Sequence, residues 1–253
     1  MPAAPAVRPM GPIRAYFRDS SGATESAALT LPLLVFYGLG VLLLPQARNG
    51  VDFLSNGLHA LLSSFGAATG LGYLAFYAVL IVANVGLVAW LSSKNRFQTK
   101  YFLPLLVECS IYAVVVGSIS GTITNDLVGW LMAAGPALST TREMGPVTGL
   151  VVSAGAGLHE EFVFRLLGIG GIGLLWLGKD WRRPSVRLLA LVLTTALVFS
   201  AVHHIVEPFT LTAFVFRTVA GVVFASLFLV RGFAVAAWTH ALYDVWVIVV
   251  LGR

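Results

Sequence analysis

The feature that most limits this chain is a succession of long apolar stretches separated by short, basic connections. A helix needs about 20 mainly apolar residues to cross the hydrocarbon core of a bilayer. Stretches of that kind cover 27–44, 71–91, 101–123, 146–167, 188–205, 213–230 and 233–251. Lipid offers no water to backbone N–H and C=O groups, so each stretch must bond internally as a helix. The expected fold is all-α: a polytopic membrane helix bundle with about seven transmembrane helices plus an interfacial helix. That last element is residues 51–65, where Asp52, Asn56 and His59 stand among leucines. Residues 125–138 fit either an interfacial helix or a short re-entrant piece.

Composition points the same way. Apolar residues make up 58% of the 253 and charged residues 11%, where soluble domains carry about 25% charged. The single cysteine, Cys109, excludes an internal disulfide and multi-cysteine metal or cluster sites. The net charge of +5 does not call for nucleic acid, because the Lys and Arg lie mostly in the short connections. No internal repeat or low-complexity tract interrupts the pattern. We divide the chain into a cytoplasmic leader (1–26), N-terminal membrane helices with interfacial segments (27–145) and C-terminal membrane helices (146–253), together one integrated membrane domain.

The connections also orient it. With a cytoplasmic N-terminus and strict alternation, the inner side collects Arg8, Arg14, Arg18, Lys94, Arg96, Lys100, Lys179, Arg182, Arg183, Arg187 and Arg231. The outer side keeps Arg48, Arg142 and Arg253. Positive charge is retained on the cytoplasmic side, which selects this arrangement over its reverse. The leader is too long and too poor in a small-residue cleavage pattern for a signal peptide. Its richness in Pro and Ala suits a GC-rich bacterium, so a bacterial inner membrane is the expected location.

Ionisable residues inside the spans carry the functional information. Glu108, Glu160, Glu161, Arg165, His203, His204, Arg217, His240 and Asp244 all fall there. A charge at the centre of a membrane helix costs about 2.5–3.5 kcal/mol on the insertion scale, so such groups face the bundle interior and find partners. Glu161 and Arg165 are four apart with the acid first, the better order for an ion pair. Glu160 points about 100° away around the same helix. Phe199 and His203, and His240 and Asp244, are also four apart, so three helices can aim polar groups at one site. Gly145, Gly149, Ser153 and Gly157 form a small-residue stripe that permits close helix contact. A carboxylate with imidazoles beside it suits hydrolysis: the acid activates water and a ring meets the developing oxyanion.

Three ordered motifs carry a resemblance. Glu160-Glu161-Phe162-Val163-Phe164-Arg165 is similar to the E-E-x-x-x-R motif of the CAAX-protease and bacteriocin-processing (CPBP, or Abi) family of membrane endopeptidases. Phe199 to His203 resembles its F-x-x-x-H motif, and His240 to Asp244 its H-x-x-x-N/D motif. The resemblance covers roughly 146–251. It implies a glutamic-type intramembrane peptidase in which Glu160 activates water, His203 helps hold it, and His240 with Asp244 stabilises the oxyanion. Glu161, Arg165 and Phe199 are then supporting residues, and His159 and His204, which match no motif position, are packing or helix-bridging groups.

Asp244 stands where prenyl-processing members of that family usually have asparagine, and an ionised aspartate cannot donate to an oxyanion. It must be protonated, orient His240 or ligate a metal. No cofactor is expected; the alternative is a zinc ion held by His203, His240 and Glu160. For Glu108 and Arg217, outside the motifs, the bland reading is a buried ion pair with each other or with Arg165, and the functional one is substrate gating or recognition of a charged peptide end. The implied partners are the lipid bilayer and a membrane-associated protein or peptide substrate. The rival classes are a transporter component, against which no inverted repeat is found, and a non-catalytic partner or immunity protein.

Overall fold

The computed structural model describes residues 11–48, 53–93, 99–129, 145–205 and 207–251. Among these the regular elements are helical throughout. A short amphipathic helix α1 (Pro12–Asp19) precedes α2 (Ala23–Leu43), α3 (Phe53–Ser64), α4 (Gly70–Ser92) and α5 (Phe102–Val128). Then come α6 (Pro146–Glu161), α7 (Ile172–Leu177), α8 (Val186–His203), α9 (Leu211–Arg231) and α10 (Phe233–Asp244). Two wider, π-helical runs extend the set: Phe162–Gly171 joins α6 to α7, and Val245–Val250 continues α10.

Local sequence explains the helix ends. Thr69, Ser185 and Thr210 cap α4, α8 and α9 by accepting the N–H groups of Gly72, Leu188 and Ala213, satisfying donors that a first turn leaves free. Gly178 (φ +77°) and Gly232 (φ +88°) end α7 and α9 in the left-handed region, which lets the chain reverse into α8 and α10.

Among the described residues, six helices are long and apolar enough to cross a membrane: α2, α4, α5, α8, α9 and the run Phe233–Val250. The seventh expected span, 146–167, is α6 and the start of its π-helical continuation. It holds two acids and an arginine and changes its winding directly after Glu161. The helix at 53–64 falls where an interfacial helix was expected. Of the stretch 125–138, the first residues simply prolong α5; 130–138 lie outside the described residues, as do Arg8, Lys94, Arg96, Arg142 and Arg253.

The stripe on α6 is a packing surface. A Cβ on Gly157 would stand 2.5 Å from the Ala241 nitrogen and 2.6 Å from the Ala237 oxygen, and one on Gly149 2.9 Å from Val249. Backbone-to-backbone contact of α6 with α10 is therefore possible only with glycine at 157, and it fixes the depth at which their polar residues meet. On its other side α6 meets α2, with Gly155 under the Tyr37 ring.

Charge separates the two ends of the bundle. At one end Arg231 bonds to the Phe17 carbonyl, Ser20 and Glu108, while Tyr101 donates to Asp19. Trp181 stacks on Phe228 at the same end. Arg14, Arg18, Lys100, Lys179, Arg182, Arg183 and Arg187 gather on these elements. The other end, where Gln46 reaches Thr148 and where α8 turns into α9, has Arg48 as the basic residue of its described connections.

Candidate active site

The site is assembled from α6, α8, α9 and α10. Glu160 and Glu161 end α6, His203 ends α8, and His240 lies one helical turn before Asp244 on α10. Glu160 Oε1 is 3.5 Å from His203 Nε2, and its Oε2 is 3.7 Å from His240 Nε2. The convergence of Glu160, His203 and His240 expected from their motifs is thus present in the fold. Both separations exceed a direct hydrogen bond, and Glu160 Oε2 has no hydrogen-bond partner although it is buried.

Each ring is held from behind. His203 Nδ1 is 2.7 Å from the Phe199 carbonyl, to which it donates, and the Phe199 ring packs edge-on against the imidazole at 4.9 Å. His240 Nδ1 is 2.8 Å from Glu161 Oε1, so that N–H is committed to the carboxylate and Nε2 is turned to Glu160. Such a partner sets the tautomer and ring orientation of a histidine. Phe224 of α9 stacks on His240 with centroids 4.5 Å apart.

Glu161 is also the anchor of Arg165, whose Nη1 lies 3.1 Å away. The guanidinium donates through Nη2 to the Gly221 carbonyl and lies 4.4 Å above the Phe199 ring. Arg165 is therefore the hub joining α6, α8 and α9 behind the two histidines. The ion pair expected of Glu161 and Arg165 from their spacing is present, and Glu161 Oε1 also meets His240 Nδ1. The two adjacent acids, although they leave α6 in different directions, meet opposite nitrogens of the same ring.

Asp244 Oδ2 lies 3.6 Å from His240 Nε2, an ion-pair separation rather than a hydrogen bond. Glu160 and Asp244 thus share the same face of the ring. His159 and His204 stay outside: His159 Nε2 is 3.3 Å from the Tyr77 hydroxyl, and His204 packs on Phe209.

The pairings suggested for Glu108 and Arg217 need correction. Glu108 pairs with Arg231, at 2.6 Å and 2.8 Å from its two carboxylate oxygens, and accepts from the Tyr16 hydroxyl. Arg217 pairs with Glu207 at 2.5 Å. Hydropathy places Arg231 in a loop, but α9 continues through it and its guanidinium folds back into the bundle end, where it is 4% exposed. Sequence reasoning also missed Gly221 and Phe224. The signal for them was the spacing of Arg217, Gly221 and Phe224, which puts all three on one face of α9.

Among the described residues, no three His, Cys, Asp or Glu side chains gather as a metal-binding group. A surface cleft of about 420 Å³ beside Trp181, Arg183 and Arg187 lies at the basic end and includes none of the residues above.

Residues 142–246 match the family model described as Rce1-like, type II CAAX prenyl endopeptidase Rce1-like. A search of curated proteins and a search of solved structures each found no match. The matched stretch includes Glu160, Glu161, Arg165, Phe199, His203, His240 and Asp244, each in the geometry just described. Over residues 142–246, the chain is similar to the Rce1-like family of CAAX-type membrane endopeptidases.

Proposed function

We propose that the protein is a glutamic intramembrane endopeptidase that hydrolyses a peptide bond of a membrane-associated protein or peptide. The observation that supports this reading best is a buried carboxylate, Glu160, within 3.7 Å of two imidazole nitrogens that face it from different helices. A water set off the line between Glu160 Oε1 and His203 Nε2 reaches both at about 2.8 Å. Glu160 takes a proton from that water as its oxygen attacks the scissile carbonyl carbon. The oxyanion forms beside His240, which in its doubly protonated form donates Nδ1–H to Glu161 and Nε2–H to the new negative charge. Glu160 then returns the proton to the leaving nitrogen and the C–N bond breaks.

Charge balance bears on the role of Asp244. Glu160, Glu161 and Asp244 bring three carboxylates into a low-dielectric bundle in which Arg165 neutralises one, so the remainder need protons or a cation. Protons shared with His240 meet that need, and no step requires zinc. Asp244→Asn should then keep much of the activity, since the amide is still a polar neighbour for Nε2. Zinc ligation requires the opposite, because Asn is a poor ligand. Peptide cleavage by purified wild type and Asp244→Asn, with and without a strong chelator and alongside metal analysis, distinguishes the two. Stoichiometric zinc, with activity lost both on chelation and on the Asn substitution, would overturn the metal-free mechanism.

The site opens away from the basic end. Side-chain exposure rises from 3% at Glu160 through 13% at His203 and 19% at Asp244 to 31% at Glu207, in the turn between α8 and α9. If the basic end is cytoplasmic, substrate arrives from the opposite face of the bacterial inner membrane, which favours a translocated peptide or C-terminal anchor. In a Cys109→Ser background, Phe209→Cys should react with a membrane-impermeant maleimide in intact spheroplasts, and Arg183→Cys only after lysis. The reverse pattern would invert the topology. Comparing membrane and secreted proteomes of wild type and Glu160→Ala identifies the protein that accumulates uncut.

A further inference from the structure

Arg217 shares a face of α9 with Gly221 and Phe224, and those two line the site. Gly221 accepts from Arg165, and Phe224 stacks on His240. One turn before Gly221, Arg217 lies toward the mouth, where Ser200 binds α8 to the Phe214 carbonyl at 2.7 Å. Glu207 holds the guanidinium through Nη2. Nη1 is buried and has no hydrogen-bond partner. A buried guanidinium nitrogen without an acceptor costs free energy that an incoming acceptor would recover.

We propose that Arg217 is a substrate subsite that binds a carboxylate, placing the scissile bond on its Glu160 side. A planar guanidinium with one edge fixed by Glu207 offers its remaining N–H groups to a second carboxylate. The bound carboxylate is a free peptide C-terminus or an acidic side chain close to the cleaved bond. Glu207 acts as its internal competitor and occupies part of the guanidinium until substrate arrives. This subsite rests on the endopeptidase reading for the position of the scissile bond, but its binding chemistry does not depend on turnover.

The test therefore measures binding in the full-length Glu160→Gln protein in lipid nanodiscs. Three probes share one decanoyl-capped Ala-Leu-Leu-Leu sequence: a free C-terminal carboxylate, a C-terminal carboxamide, and a carboxamide with glutamate replacing the third residue. The expected result is about tenfold tighter binding of at least one carboxylate probe than of the plain amide, and which one binds better identifies the source of the carboxylate. Adding Arg217→Gln should abolish the preference with amide binding retained, and adding Glu207→Gln should enlarge it. If Arg217→Gln does not fold, Arg217→Lys with Glu207→Gln supplies the comparison. Equal binding of all three probes, or a preference that survives Arg217→Gln, would overturn the subsite. A preference seen alongside a wild-type protein that cleaves nothing would instead count against the endopeptidase reading alone.

Discussion

Glu160→Gln should lower peptide cleavage by at least about 1,000-fold, within the range that a positioned acid–base group contributes, while the protein folds normally. The amide keeps the size of the side chain but cannot take a proton from water. Its melting midpoint in detergent should be unchanged or higher, because the substitution removes a buried carboxylate whose Oε2 has no hydrogen-bond partner. The separation of activity from stability is what makes the result informative. A non-catalytic immunity or partner protein would show its biological effect undiminished with Gln at 160, and a proton-coupled transporter would lose flux instead of cleavage. Cleavage at close to the wild-type rate would remove Glu160 from the mechanism.

Arg165→Ala should have the opposite profile, with the loss falling on the fold. Removing the guanidinium leaves Glu161 with His240 as its remaining partner, frees the Gly221 carbonyl and takes away the cation over Phe199. Breaking a buried ion pair from one side costs about 3–5 kcal/mol, equivalent to a drop on the order of 10 °C in melting midpoint. Arg165→Lys should recover only part of this, since an ammonium cannot serve Glu161, Gly221 and the Phe199 ring together. The double variant Glu161→Gln/Arg165→Leu removes both charges and should regain stability without regaining activity, because His240 then lacks its charged anchor. An Arg165→Ala protein with normal thermal stability and no activity would show that Arg165 works in the chemistry and not in the scaffold.

The small-residue stripe on α6 shows how much of this arrangement was legible beforehand. Its spacing announced a close helix contact, but not that α10 would be the partner, nor that Gly157 would lie against the backbone at Ala237 and Ala241. That contact brings the acids of α6 level with His240. The π-helical runs were not foreseen either. Each starts immediately after an acid of the site, Glu161 or Asp244, and a widened turn re-aims the residues beyond it without any change in hydropathy.

The sequence by itself determined the membrane-bundle class, the segments that form helices and the motif residues, because hydropathy and i, i+4 spacing are local properties of a chain. It also marked the end of the bundle rich in positive charge. Only the tertiary structure decided which side chains meet: Glu108 with Arg231 rather than Arg217, Arg217 with Glu207, and His240 held between Glu161 on one nitrogen and Glu160 and Asp244 on the other. Those pairings depend on the rotation of each helix about its axis and on its depth relative to its neighbours. Both are set by side-chain volume and glycine contacts across helix interfaces, which no single helical repeat encodes.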